Sequence, residues 1–355
     1  MKNKVSSRKK ALKWVAIGIV AFLLVFSSGS MIFIKNFYDK NFPRYDQPKY
    51  SGYLRFSDVK GNQPTLVKFK SGKNTLTGYL YGEGKSKGLV VIAPGQGEGA
   101  VTFLAASIYF VDHGWRVFSY DPTGSYASEG DNMVGLPQAR PDLKAALGYI
   151  KSDATLKDLP VMLYGHSWGG YAVTSILNDT QDISAVVSIS GFNAPMGILA
   201  EDAKRELGIL GEVEYPFGWA YQMLRFGPEA LVTAVEGINS TDIPVMIIHG
   251  SADESVDYNG ASIIAQRSAI TNPNVIYKTC SAENRSGHNT LYQSDAASKY
   301  IRQKNQEYQI LYDRYQGNIP DNVRSEYYSG VDRFQTSELD ADFMQDIDRF
   351  FEKAF

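Results

Sequence analysis

The chain has 355 residues, a formal charge of −2 and a single cysteine, Cys280. This length suits one large α/β domain with insertions or two small domains, and one cysteine excludes an intramolecular disulfide framework and a cysteine-rich zinc site. The near-neutral charge balance gives no electrostatic case for nucleic-acid binding.

The N-terminal segment combines a basic tail with a long uncharged run. Residues 1–13 contain six Lys or Arg, and residues 14–34 contain no charged residue. A helix of these 21 residues reaches about 31 Å, enough to cross the hydrocarbon core of a bilayer. We therefore predict a single transmembrane anchor at 14–34. The excess of basic residues before it predicts residues 1–13 in the cytoplasm and the large domain outside the cell membrane.

A cleaved signal peptide, and hence a secreted protein, is the alternative for the same segment. The apolar residues 15–26 precede four small residues at 27–30, a pattern typical of a cleavage site. The chain becomes apolar again at 31–34, which is a poor beginning for a mature soluble protein. The sequence therefore favours the uncleaved anchor.

Residues 35–53 are mixed polar and aromatic with two prolines, a composition that predicts a tether. The globular domain is predicted to occupy 54–355. Its first elements are two strands, at 66–70 and 75–81, separated by a short polar turn that indicates a β-hairpin.

Strand and helix patterns then alternate along the chain. The continuous apolar run 88–93 is typical of a strand that is buried on both faces. Such alternation predicts an α/β fold with a mostly parallel, doubly wound sheet and helices on both of its faces. Further strands are predicted at 115–120, 161–164 and 185–190, and helices at 100–111, 137–151 and 171–177.

The alternation stops at about 192–241, where no strand pattern is present. Amphipathic patterns at 196–210 and 217–235 predict helices, and we interpret this insertion as a helical cap over the sheet edge. Ordinary helical packing is the alternative. The remaining predicted elements are strands at 243–249 and 275–280, a helix at 260–267, a second excursion at 300–336 and a closing helix at 340–355.

A G-x-S-x-G motif lies between the predicted strand 161–164 and the predicted helix 171–177. Gly165 and Gly169 flank Ser167 at two residues on either side, where larger side chains would collide with the strand and the helix. Such a turn raises the serine hydroxyl above the sheet and places the N–H of Trp168 at a helix N-terminus, where it can stabilise an oxyanion. We therefore predict that Ser167 is a catalytic nucleophile.

A serine hydroxyl needs a base to take its proton, and the chain has four histidines. His113 lies at a helix-to-strand turn on the far side of the sheet, and His166 points away from its neighbour's hydroxyl. His249 ends a strand and suits either a packing role or a role in supporting a catalytic side chain. His288 follows the last predicted strand, at the sheet edge where α/β proteins place their sites. We therefore predict His288 as the base.

The base in turn needs a carboxylate that holds its tautomer and stabilises the imidazolium. Three acidic residues, Asp253, Glu254 and Asp257, follow closely on the strand that ends at His249. All three lie beyond the carboxyl end of that strand, so position alone does not select one of them.

Four separated motifs resemble those of the serine α/β-hydrolases, and the closest group contains lysophospholipase-like, serine-aminopeptidase-like and cap-bearing esterase sequences. The resemblance covers about 60–355, and the nucleophile, the acid and the base follow the chain order expected of this family: Ser167, Asp253, His288. It selects Asp253, which stands three residues before Val256, and implies the N–H groups of Gln96 and Trp168 as oxyanion donors.

The loop after the fourth strand departs from the family pattern, because Tyr126 stands where a glycine is usual. The motifs lie at 164–170, 243–256, 286–288 and 120–130.

Together with the predicted anchor at 14–34, the resemblance implies a membrane-anchored serine hydrolase that cleaves an ester, thioester or small amide of a small-molecule or lipid-like acyl substrate through an acyl-enzyme. An acyltransferase with the same catalytic residues is the alternative. A non-catalytic binding module on a hydrolase scaffold is disfavoured, because Ser167, Asp253 and His288 are all present. No His, Cys and carboxylate cluster has metal-ligand spacing, so neither metal nor cofactor is predicted.

Overall fold

The structure is a computed structural model that describes residues 2–180 and 182–354, with side chains described from residue 12 onward. The basic segment predicted to be cytoplasmic, 1–13, therefore lies almost entirely outside the described side chains. A 40-residue helix, α1 (Lys2–Asn41), opens the chain. Its part from Leu12 to Asn41 has a mean hydropathy of 2.4 and is long and apolar enough to cross a membrane.

An eight-stranded sheet forms the centre of the domain. The first two strands form the predicted hairpin, and β2 runs antiparallel to β4; all other neighbouring pairs in the sheet are parallel. The strand order is β1-β2-β4-β3-β5-β6-β7-β8, which confirms the predicted doubly wound, mostly parallel sheet. The strands are β1 (Thr65–Ser71), β2 (Asn74–Tyr81), β3 (Leu89–Ala93), β4 (Arg116–Asp121), β5 (Val161–His166), β6 (Ala185–Ile189), β7 (Val245–Gly250) and β8 (Val275–Cys280).

Helices cover both faces of the sheet. One apolar core contains buried residues of α3, α4 and the end of α1, and the other contains buried residues of α2 and α11. All five residues of β3 are buried, as expected for a central strand enclosed between two helical layers. The helices after α1 are α2 (Leu104–Asp112), α3 (Ala139–Ser152), α4 (Trp168–Ser175), α5 (Pro195–Leu207), α6 (Ile209–Phe226), α7 (Ala234–Asn239), α8 (Asp295–Arg314), α9 (Asp321–Ser329), α10 (Arg333–Thr336) and α11 (Ala341–Glu352).

The insertion between β6 and β7 is helical, as predicted, although the helix boundaries differ. Helix α6 continues through Pro216 and ends at Phe226, whereas the sequence pattern predicts a helix from 217 to 235. The predicted helix at 260–267 is wrong, because only a short 3₁₀ turn, Ile264–Gln266, forms there. The hydroxyl of Ser262 donates to the carbonyl of Tyr258 and accepts from Ala265 N–H, so side-chain hydrogen bonds replace regular helical ones.

The segment predicted as a tether is fixed to the domain. Helix α1 continues to Asn41, and Ile34, Tyr38 and Phe42 are buried in the core because they recur at helical spacing on one face. The guanidinium of Arg44 then donates to three carbonyls of the loop after β4. The apolar helix is therefore joined rigidly to the domain.

Candidate active site

Ser167 stands alone between the end of β5 and the start of α4. Its backbone has φ 54° and ψ −114°, a conformation that an L-residue adopts only under strain, and its N–H donates to the carbonyl of Ile189 at 2.8 Å. A side chain at Gly165 would collide with the backbone of Gly169, and one at Gly169 with the backbone of Ala93. The two glycines of the motif are therefore required by the close approach of strand, turn and helix.

Two backbone N–H groups, from residues that line the same cavity as Ser167, have no hydrogen-bond acceptor among the residues that the structure describes. Trp168 is the first residue of α4, so its N–H has no intrahelical partner. Gln96 lies in the turn after β3, and it lines the same cavity as Ser167 and Trp168. The Gln96 side chain is used elsewhere, because its Nε2 donates to the carbonyl of Asn41 at 2.9 Å.

His288 and Asp253 are brought together from two different loops at the carboxyl edge of the sheet. The Nδ1 atom of His288 lies 2.8 and 2.9 Å from the two carboxylate oxygens of Asp253. The N–H groups of Ser255 and Val256 donate to one of those oxygens at 2.9 and 2.8 Å. These hydrogen bonds from its own turn orient the Asp253 carboxylate toward the imidazole.

The charges of this pair are set by burial and by hydrogen bonds. Burial of Asp253 opposes its ionisation, but hydrogen bonds from His249 and His288 hold the pKa of the carboxyl well below its usual range. Burial lowers the pKa of His288, and Asp253 opposes this effect only in part. The geometry therefore combines an ionised carboxylate with an imidazole that is neutral at pH 7 and able to accept a proton.

Neither Glu254 nor Asp257 contacts the imidazole of His288. Glu254 contacts the backbone of the histidine instead, because its Oε2 accepts from His288 N–H at 3.0 Å. Asp257 caps its own turn by accepting from Asn259 N–H. The side-chain geometry thus distinguishes Asp253 from the neighbours that strand position left open.

The other three histidines have separate roles. His249 is fully buried, and its Nε2 donates to the carbonyl of Val256, 2.9 Å away, while lying 3.2 Å from Asp253. His166 donates from Nε2 to the carbonyl of His288 at 3.0 Å. His113 stacks on Tyr109 at the end of α2, near the opposite edge of the sheet. The sequence left a packing role or a supporting role open for His249, and its contact with Asp253 fits the supporting role. Sequence reasoning missed that His166 and Glu254 each hold the backbone of His288.

A cavity of about 370 Å³ adjoins Ser167. The end of α1 forms one wall of it through Phe37, Asn41 and Phe42, and α5 contributes both apolar and charged side chains. Among the α5 residues, burial raises the pKa of Asp202 to about 6, although Arg205 opposes this effect. The sequence offered no signal for a wall built by the N-terminal helix, because residues 35–41 resemble a polar tether in composition. Within the described part of the chain, no group of three or more metal-ligating side chains is assembled.

Comparison with known proteins finds similarity to hydrolases. A family model described as "Serine aminopeptidase, S33" matches residues 84–213, a range that includes the elbow at Ser167 but ends before Asp253 and His288. A search of curated proteins found no match.

Solved structures of three hydrolases share the fold at low identity. An esterase from Pyrococcus furiosus is 19% identical with a TM-score of 0.53, covering 75% of this chain and 95% of its own. The α/β hydrolase GrgF from Penicillium sp. sh18 is 15% identical with a TM-score of 0.51, covering 68% and 96%. An acylaminoacyl peptidase from Pyrococcus horikoshii is 15% identical with a TM-score of 0.51, covering 83% of this chain and 45% of its own. At these identities the likeness concerns the fold.

Proposed function

We propose that this chain, an α/β-hydrolase by fold, is a membrane-anchored serine hydrolase that cleaves an ester, thioester or small amide through an acyl-enzyme. The observation that carries the proposal is the contact of His288 Nδ1 with Asp253 at 2.8 Å. This pair lies next to the strained elbow that presents Ser167, because the His288 ring is 4.9 Å from the ring of His166, the residue before Ser167. A buried carboxylate that fixes an imidazole has a catalytic use when a serine nucleophile stands nearby. The esterase and peptidase activities in the names of the structural neighbours are consistent with this class of reaction.

The proposed reaction has two steps that balance in protons. Ser167 attacks the acyl carbon while His288 takes the hydroxyl proton, and the resulting oxyanion accepts hydrogen bonds from the N–H groups of Trp168 and Gln96. Collapse releases the leaving group, which takes the proton from His288. Water then attacks the acyl-enzyme while His288 takes its proton, and collapse of the second tetrahedral intermediate releases the acid product as His288 returns that proton to Ser167 Oγ. Asp253 stabilises the imidazolium in both steps without being protonated.

Activity-based labelling tests the nucleophile and the reaction class together. We expect a fluorophosphonate probe to modify Ser167 stoichiometrically in the full chain, and the purified protein to turn over at least one class in a panel of acyl esters, thioesters and aminoacyl amides. Product analysis with and without added alcohols or amines separates hydrolysis from acyl transfer, since both proceed through the same acyl-enzyme. Labelling at a different residue would contradict the proposal.

We expect two substitutions at Gln96 to differ sharply. Gln96→Ala keeps the backbone donor and loses only the hydrogen bond to Asn41, so the rate should change little. Gln96→Pro removes the N–H itself and should raise the barrier by about 3 kcal/mol, the usual effect of losing an oxyanion donor. Steady-state kinetics measure both, and circular dichroism checks that the proline variant is folded. Equal rates for the two variants would refute the backbone role.

The proposed anchor makes a prediction about topology. Helix α1 from Leu12 to Asn41 has the length and hydropathy of a membrane span, and the basic residues precede it. Protease added to intact cells should therefore digest the large domain and spare a tag on the N-terminus. A mature protein that begins near Met31 would show instead that the segment is a cleaved signal peptide.

A further inference from the structure

One side of α6 exposes large apolar side chains. Within Ile209–Phe226, all of which the structure describes, Ile209 and Leu224 are 77% and 80% exposed, and Trp219 is 43% exposed. Leu210 and Val213 are also exposed and lie near Ile209 and Leu224 around the helix. Trp219 lies at the far edge of this exposed side, beside Glu212, which is the charged exception. A helix that faces water normally presents polar residues there, so this apolar face of α6 suits an apolar environment.

The edge of this face that lies away from Trp219 contacts α1. Phe26 and Phe217 pack with their ring centroids 5.7 Å apart, and Tyr38 and Tyr221 with theirs 4.7 Å apart. Ser30, which lies between Phe26 and Tyr38 along α1, donates to Glu214 at 3.1 Å.

The contacts with α1 and the exposed apolar side chains form one surface. Phe217 follows Val213 by four residues and Tyr221 precedes Leu224 by three, so each α1 contact is a surface neighbour of an exposed apolar side chain. The apolar face of α6 is therefore continuous with the surface of α1.

The length of the uncharged part of α1 determines how deep this surface lies in a membrane. The uncharged run begins at Trp14, and only residues 14–26, about 20 Å of helix, precede the packing against α6. The hydrocarbon core of a bilayer is about 30 Å thick. The last third of the crossing must therefore use residues 27–33, which run beside α6. Tilting α1 would shorten its vertical reach and bring α6 deeper.

We propose that the apolar face of α6 is immersed in the outer leaflet of the membrane that holds α1, so that the domain is docked on the bilayer rather than suspended above it. This inference rests on the proposed membrane anchor. Its occupant is the lipid leaflet itself, because the face continues a helix whose own exposed side chains from residue 14 to residue 26 are uncharged.

Docking of α6 in the leaflet determines the height of the catalytic cavity above the hydrocarbon core of the membrane. The helix that leaves the hydrocarbon at about Ile34 reaches the cavity wall at Phe37 and Asn41, within about 10 Å along its axis. The headgroup region of one leaflet, whose inner boundary holds the ester bonds of membrane lipids, is about 5–8 Å thick, so Phe37 lies within this region and Asn41 lies just above it. The substrate class that fits is an amphiphilic acyl ester that enters from the leaflet, with its acyl chain still in the membrane.

Tryptophan fluorescence tests the position of α6 without requiring activity. Trp115 and Trp168 are buried, so Trp14 and Trp219 are the two exposed reporters. The full-length protein is reconstituted into phosphatidylcholine vesicles with brominated acyl chains. In the Trp14→Phe variant, the bromine atoms should quench most of the emission of Trp219. The matched variant Trp14→Phe/Trp219→Phe should show almost no quenching. Equal quenching in these two variants would overturn the proposal.

Two further variants separate the anchor from the docking. Trp219→Phe retains Trp14, and its quenching reports the anchor alone; a quenched Trp14 with an unquenched Trp219 would keep the anchor and overturn the docking of α6. Adding Leu66→Trp to the double variant places an exposed tryptophan on edge strand β1, where we expect no quenching. Quenching there would show contact of the whole surface with lipid and overturn the assignment to α6.

The kinetic consequence is a selective one. The double variant Ile209→Glu/Leu224→Glu should lower kcat/KM for a long-chain ester carried in vesicles by about tenfold or more, which equals ~1.4 kcal/mol. The rate on a water-soluble short-chain ester should be unchanged, because neither residue lines the cavity. An equal loss of kcat/KM on both substrates would overturn the docking role. If the unmodified chain had no activity on either ester, the proposed hydrolase function would be contradicted, but the fluorescence test of docking would still apply.

Discussion

Ser167→Ala should lower turnover by about 10⁶-fold, the effect expected when the nucleophile of a serine triad is removed. The reason is that the acyl-enzyme cannot form, and the strained elbow at φ 54° offers no second hydroxyl at this point. Binding and the oxyanion donors can leave about 10³–10⁴-fold acceleration over water. The assay must therefore resolve small residual rates, and fluorophosphonate labelling should be lost in parallel.

Ser255→Ala is the matched control. Ser255 lines the same cavity, but it supports Asp253 through its backbone N–H, which alanine retains. Its rate should stay within about tenfold of the unmodified chain, or ~1.4 kcal/mol. Undiminished turnover in Ser167→Ala, or an equal loss in both variants, would remove Ser167 from the mechanism.

Asp253→Asn should reduce turnover by as much as ~10⁴-fold while leaving the fold intact. The carboxylate accepts from His288 Nδ1, which fixes the proton there and leaves the other ring nitrogen free to act as the base. An amide that donates to Nδ1 favours the wrong tautomer. Initial rates with saturating substrate measure the loss, and thermal unfolding checks the fold.

The neighbouring acids supply the controls for Asp253. Glu254→Gln retains an oxygen that can accept from His288 N–H, and Asp257 contacts its own turn rather than the histidine. Glu254→Gln and Asp257→Asn should therefore change the rate by less than about tenfold, or ~1.4 kcal/mol. If Glu254→Gln were the crippled variant, Glu254 and not Asp253 would be the acid.

The sequence alone determined the features that depend on local pattern. Apolar runs and amphipathic periods specified the alternating strands and helices, because the burial of one face imposes a period on each element. The elbow motif was also readable locally, since Gly165 is required by contact with Gly169 within one strand, turn and helix, although Gly169 is required by the backbone of Ala93 in the neighbouring strand. The failed helix at 260–267 marks the limit of this reasoning: the hydroxyl of Ser262 makes hydrogen bonds that compete with helical ones, and the periodicity does not record them.

Only the tertiary structure decided which side chains from distant segments meet. Strand position left three acids open, and the contact of Asp253 with His288 distinguishes one of them. The support of the His288 backbone by His166 and Glu254 has no signature in the sequence, because it joins loops that are 122 and 34 residues apart in the chain. The same holds for α1. The spacing of Ile34, Tyr38 and Phe42 is a local pattern that presents one apolar face, but the partners of that face, α6 and the cavity wall, come from distant segments and are decided by long-range packing.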